Sequence, residues 1–82
     1  MTKIVLIGAG SAIFGLGTIS DIFKSSILTG ATITLHDIDL KALKKTQKLA
    51  EQFKEKLSCD FTIEVASDRK QALKDANFVI IS

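Results

Sequence analysis

The sequence has no proline, no tryptophan, no tyrosine and a single cysteine. One thiol, Cys59, cannot build an internal disulfide framework, so a reducing compartment such as the cytoplasm fits the chain. With no proline and five glycines the composition is that of a globular protein, and no repeat or low-complexity segment interrupts it. Charge of one sign is scarce too. The formal net charge of +2 is too small to argue for a nucleic-acid partner. No apolar run is long enough to span a bilayer, because Ser11, Thr18, Ser20 and Asp21 break the one near the start. Lys3 followed by that apolar stretch mimics an export signal, but glycines punctuate it at fixed spacing and no small-x-small cleavage site stands out. The 82 residues allow one small domain, which buries only about 60–65% of its unfolded surface and is marginal by itself.

What is present is an alternation of two periodicities. Ile4 to Ile7 form a continuous apolar run, the pattern of a strand covered on both faces. Residues from about Ala12 to Ser26 read as a helix whose apolar positions, among them Ile13, Phe14, Leu16, Ile19, Ile22 and Phe23, cover most of its circumference. Thr29-Gly30 closes it. Ala31 to His36 reads as a second strand, and Asp37 and Asp39 can cap a helix from Leu40 to Leu57 with Leu43, Ala50, Phe53 and Leu57 as its stripe. Phe61 to Val65 is a third strand, Ser67 or Asp68 can cap a short helix over Arg69 to Lys74, and Asn77 to Ser82 is a wholly apolar fourth strand. Right-handed crossovers turn this order into an α/β fold: a doubly wound, Rossmann-like parallel sheet, partial, with strand order 3-2-1-4. The fourth strand stops where it should deliver a loop to the ligand crevice, and the first helix is too apolar to face water. Residues 1–82 are therefore expected to be the amino-terminal part of a nucleotide-binding domain in a longer protein.

The chemistry sits in Gly8-Ala9-Gly10-Ser11, between the first strand and the first helix. In such a turn backbone N–H groups and the positive end of the helix dipole face a ligand, and a pyrophosphate is the natural guest. Gly8 allows the sharp bend, Gly10 lets phosphates approach the backbone, and Ser11 can offer its N–H and hydroxyl or cap the helix, which Ala12 and Ile13 open. The usual spacing is G-x-G-x-x-G. Here Ile13 holds the third position, and Gly15 and Gly17 come later. Asp37, at the tip of the second strand, can accept hydrogen bonds from the adenosine ribose and repel a 2′-phosphate, which selects NAD over NADP. Asp39 can substitute, although capping suits it better, and the bland alternative for Asp37 is a turn-starting residue. Ser67 and Asp68 either line the adenine end of the groove or cap the helix that follows. Ser82 falls where the fourth strand approaches the nicotinamide side.

Other residues carry no comparable case. His36 and Cys59 lack the partners that a metal or acid–base site needs. Lys41, Lys44, Lys45 and Lys48 share a helix face with Glu51 and Glu55 close by, the mark of a solvated surface.

Three segments, KIVLIGAGSAIFGLGTISDIF, ITLHDID and ASDRKQALKDANFVIIS, resemble the amino terminus of glycoside hydrolase family 4. Gly10-Ser11-Ala12-Ile13-Phe14 with Asp21 is closer to the α-glucosidase and α-galactosidase branch than to the 6-phospho-β-glucosidases. The resemblance implies a cytoplasmic enzyme that uses NAD and a divalent metal, typically manganese, to cleave glycosides by transient oxidation at sugar C3. It implies cofactor contacts at Gly8, Gly10, Ser11, Ala12, Ile13 and Asp37, and more loosely at Ser67 and Asp68. It puts the metal ligands and the catalytic base beyond this chain, a small glycoside as the substrate and a homo-oligomer as the assembly. An NAD-dependent dehydrogenase of small hydroxy acids, a non-catalytic NAD-binding module and a fold with an empty turn are the other readings of the same residues.

Overall fold

The computed structural model describes residues 2–25, 28–58 and 60–81, except for the side chains of 12–14. Cys59 and Ser82 lie outside the described residues. The elements are β1 (Lys3–Ile7), α1 (Ala12–Phe23), β2 (Thr32–His36), α2 (Leu40–Leu57), β3 (Thr62–Val65), α3 (Arg69–Leu73) and β4 (Phe78–Ile81). The strands form one parallel sheet in the order β3-β2-β1-β4, as the crossover argument requires. Along β1, residues alternate between two apolar layers. Ile4 and Leu6 join Ile33, Leu35, Ile19, Ile22, Leu43 and Ala50 in the larger core beneath α1 and α2. Val5 and Ile7 face the opposite side, where Ala72 of α3 covers them. The two central strands are therefore buried on both faces, which is why β1 reads as an unbroken apolar run, while β2 fills its second face with the buried Thr34 and His36.

The loops have identifiable causes. Asp39 caps α2 by accepting from the Ala42 N–H at 3.1 Å, and Asp68 caps α3 through the Lys70 N–H at 3.2 Å. Ser58 ends α2 in the left-handed region at φ 54°. The stripe of α2 runs through Leu43, Thr46 and Ala50 to a half-buried Phe53, while Leu57 is exposed. Phe23 stacks obliquely on Phe53 and Phe61 at centroid distances of 5.9 and 5.1 Å. α1 stops at Phe23, short of the expected Ser26. The chain tightens there into a four-residue turn, Ser25 N–H to the Ile22 carbonyl at 3.0 Å, where serine competes poorly as a helix former. β4, read as a wholly apolar strand, is an edge of the sheet among the described residues, and Phe78, Val79 and Ile81 are exposed. Asn77 ties its start to β1, accepting from the Lys3 N–H at 2.8 Å and donating its own N–H to the Lys3 carbonyl at 2.9 Å.

Candidate functional site

The carboxyl ends of β1 and β2 and the start of α1 meet at one edge of the sheet. In a doubly wound fold this crevice is where ligands bind. Gly8 turns the chain with φ 87°, which a side chain would oppose. The His36 carbonyl then accepts two bonds, from the Gly8 N–H at 2.9 Å and the Ala9 N–H at 3.0 Å. The next donor, the Gly10 N–H, points to Asp37 Oδ2 at 2.8 Å. Ser11 carries its N–H to the Gly8 carbonyl at 3.3 Å and begins the helix by accepting from Gly15 at 2.8 Å. The amides of Gly8, Ala9 and Gly10 are thus engaged in shaping the turn. Behind it, the amides of Ala12, Ile13 and Phe14 have no carbonyl four residues earlier inside the helix, an arrangement that suits an anion.

Asp37 is the hinge of this arrangement. Oδ2 takes the Gly10 amide and Oδ1 takes the Asp39 amide at 2.9 Å, which aims the carboxylate and leaves each oxygen a further lone pair. The Asp39 amide is the main reason that the carboxyl is held below its ordinary value. The amides of Gly10 and Ile38 and the nearby His36 add to the effect, and partial burial opposes it. Gly10 is fixed by the same contact, because a Cβ there would come within 2.7 Å of Asp37 Oδ2 and 3.2 Å of the Ala42 Cβ.

A cleft of about 250 Å³ opens beside the carboxylate, lined by Ile7, Gly8, His36, Asp37, Ile38 and Arg69. Small-molecule sites commonly run from ~300 Å³ upwards, so the cleft suits one end of a dinucleotide rather than the whole. A glycine turn without Cβ atoms, a helix start and an aimed carboxylate fit a ribose with its attached diphosphate. The described residues gather no group of three or more His, Cys, Asp or Glu that could hold a metal ion.

The candidates singled out in the sequence do not all meet at this cleft. Gly8 and Asp37 line it, and Gly10 and Ser11 stand directly behind. Ala12 and Ile13 open α1, their side chains outside the description. Asp68 is turned to its capping bond, and Ser67 lines a different hollow with Thr34 and Glu64. Arg69, one residue further on and the first of α3, is the residue that reaches the cleft. His36 is buried with Nδ1 2.8 Å from the Ala66 carbonyl, a tie between β2 and the loop after β3.

Gly15 answers the question left by Ile13. A Cβ on Gly15 would lie 2.8 Å from the Ala9 carbonyl oxygen and 3.0 Å from Thr46 Cγ2, so this glycine permits the close approach of α1 to the turn and to α2. The equivalent requirement is usually met at the third position of the fingerprint. Nothing in the spacing alone distinguishes Gly15 from Gly17, whose added Cβ would meet open space.

Known proteins carry the same segment. An α-glucosidase of Erwinia rhapontici is 53% identical over 81 residues, 99% of this chain and 18% of that protein. An α-galactosidase of Bacillus subtilis (strain 168) is 38% identical over 80 residues, 98% of this chain and 18% of that protein. The structure of a 6-phospho-α-glucosidase from gut microorganisms, in complex with NAD and glucose-6-phosphate, superposes with a TM-score of 0.87 at 22% identity, over 99% of this chain and 19% of that one. The chain thus spans about a fifth of the length of the relatives it matches. A family model described as family 4 glycosyl hydrolase matches residues 3–82. On that match, which takes in every element of the sheet, the chain belongs to the family 4 glycosyl hydrolases.

Proposed function

We propose that this chain is the NAD-binding, amino-terminal portion of a longer glycosidase that cleaves α-glycosides by a redox-elimination route. The observation that carries the reading is the coupling of Asp37 to Gly10 at 2.8 Å, which sets an ionised carboxylate over a glycine turn at the crevice of a parallel sheet. The identities with an α-glucosidase and an α-galactosidase support the α-glycoside branch and weigh against a hydroxy-acid dehydrogenase or a non-catalytic NAD-binding module. When bound, NAD supplies a reversible hydride acceptor for C3 of the sugar, which acidifies the C2 proton ahead of elimination of the glycosidic oxygen.

The residues of this chain bind and orient. Gly8 and Gly10 keep the turn free of side chains, and Ser11, Ala12 and Ile13 present the start of α1 to the diphosphate. Asp37 accepts from the adenosine ribose hydroxyls and repels a 2′-phosphate. Ser67 and Asp68 belong to the loop on the adenine side, Asp68 mainly by holding α3 in place. Catalytic groups and the ligands of a divalent metal, manganese by resemblance, are assigned to the remainder of the protein. The segment alone is therefore expected to be inactive. A cytoplasmic homo-oligomer is the expected setting. No described helix is long and apolar enough to cross a membrane.

The test uses the full-length protein. Hydrolysis of a nitrophenyl α-glycoside should require both NAD and manganese, and full activity after both are stripped would overturn the proposal. Asp37→Ala should weaken NAD binding about 10- to 100-fold, the loss expected when hydrogen bonds to a charged group are removed, and should narrow the preference over NADP. Unchanged affinity for both dinucleotides would take the ribose role away from Asp37.

A further inference from the structure

Asp39 is not among the residues lining the cleft, yet its hydrogen bonds tie the cleft's carboxylate to α2. Its N–H donates to Asp37 Oδ1 at 2.9 Å, its Oδ1 accepts from the Ala42 N–H at 3.1 Å, and its carbonyl accepts from the Leu43 N–H at 3.0 Å. Leu43 is wholly buried in the larger core, so residue 39 is moored to the body of the protein although its own side chain is exposed. Ala42 completes the tie. A Cβ on Gly10 would come within 3.2 Å of the Ala42 Cβ, and the Ala42 carbonyl accepts from the buried Thr46 hydroxyl at 3.2 Å. The first turn of α2 thus backs the glycine turn directly and the carboxylate through Asp39.

A carboxylate held by one hydrogen bond can still turn about its side-chain bonds. Amides on both oxygens stop that rotation. The Gly10 amide on Oδ2 belongs to the glycine turn, whereas the Asp39 amide on Oδ1 stays in place only while the start of α2 is intact. A helix start that loses its cap leaves amides without partners and frays, which frees residue 39 and leaves Asp37 on the Gly10 amide. We infer that Asp39 is a positioning residue for the dinucleotide: by capping α2 it holds its own amide against Asp37, so that Asp37 meets the adenosine ribose in one orientation and discriminates against a 2′-phosphate. The inference rests on the NAD-binding reading and deepens it, because the selectivity of Asp37 then depends on a side chain that touches no part of the cofactor.

Calorimetric titration of the full-length protein with NAD and with NADP, paired with melting curves, tests it. Asp39→Ala should weaken NAD about three- to tenfold, the worth of one hydrogen bond, and should narrow the preference over NADP. Asp39→Asn caps a helix as well as aspartate does and should keep both the affinity and the preference. Asp39→Gly spares most of the helix stability that alanine loses, but it lacks the tie and should bind NAD as weakly as Asp39→Ala. In an Asp37→Ala background Asp39→Ala should cost nothing further, because the two residues act through one carboxylate. Losses that add would make Asp39 a ribose ligand in its own right. Equal losses in the asparagine and alanine variants would make its charge the cause, and NAD affinities that simply follow the melting temperatures would leave it a helix cap. Each of these three results overturns the inference. A wild-type protein that gives no heat with NAD would remove the underlying reading, and that result is visible before any variant is made.

Discussion

Gly10 and Asp37 constrain one another, so a methyl group at position 10 should act on the carboxylate 27 positions away in the chain. Gly10→Ala pushes a Cβ against Asp37 Oδ2 at 2.7 Å, and the carboxylate has to swing off the Gly10 amide. The expected cost is about 1–3 kcal/mol of stability, as for other overpacked sites, together with weaker NAD binding. Melting curves and calorimetry check the two effects separately, and a variant with wild-type behaviour in both would show that the contact has slack. The depressed pKa of Asp37 carries its own expectation. A carboxyl that is more acidic when folded contributes stability that is complete above its ordinary value of 3.8 and is lost as pH falls through the lower folded value. Asp37→Asn should therefore flatten the acid limb of the stability curve in that window, and superimposable acid limbs would count against the assignment. Gly8, Gly10 and Asp37 were legible because turn chemistry and strand ends are local. Ile38 and Arg69 were not, since their meeting depends on how the β3–α3 loop is fastened to β2, a contact between positions 36 and 66.

α1 shows the same division between local and distant causes. Its existence, its start after Ser11 and its apolar character follow from residue pattern. Its closeness to the turn and to α2 does not, because that depends on which glycine faces the Ala9 carbonyl. Gly15→Ala should cost about 1–3 kcal/mol, because a backbone atom at 2.8 Å cannot step aside as a side chain would. Gly17→Ala, two residues on, meets open space and should stabilise by up to ~1 kcal/mol through helix propensity alone. A pair of melting curves decides it, and equal shifts in the two variants would refute the packing role of Gly15. Strand order and all seven elements were readable because period-2 and period-3.6 patterns alternate cleanly, while the early end of α1 rests on the turn that Ser25 closes back to Ile22, which pattern reading passes over.

The assembled sheet leaves one side unfinished. Phe78, Val79 and Ile81 on β4 are 56%, 44% and 70% exposed, and an uncovered apolar edge strand is a template for pairing. The 82-residue segment produced by itself should self-associate in a concentration-dependent way, measurable by light scattering, and Ile81→Lys should suppress it. A monodisperse wild-type segment at high concentration would contradict this. An apolar run such as FVII cannot say from its composition whether it is central or marginal, because covering comes from neighbours that the run does not contain.

The paired bonds from Gly8 and Ala9 to the His36 carbonyl carry one more consequence. The bend between β1 and α1 is closed by its own main chain, so it holds its shape before any guest arrives. Little disorder is left to freeze on complex formation, and affinity is not spent on arranging the loop. Amide protons at positions 8 to 10 should accordingly resist deuterium exchange in the empty protein almost as well as in the loaded one.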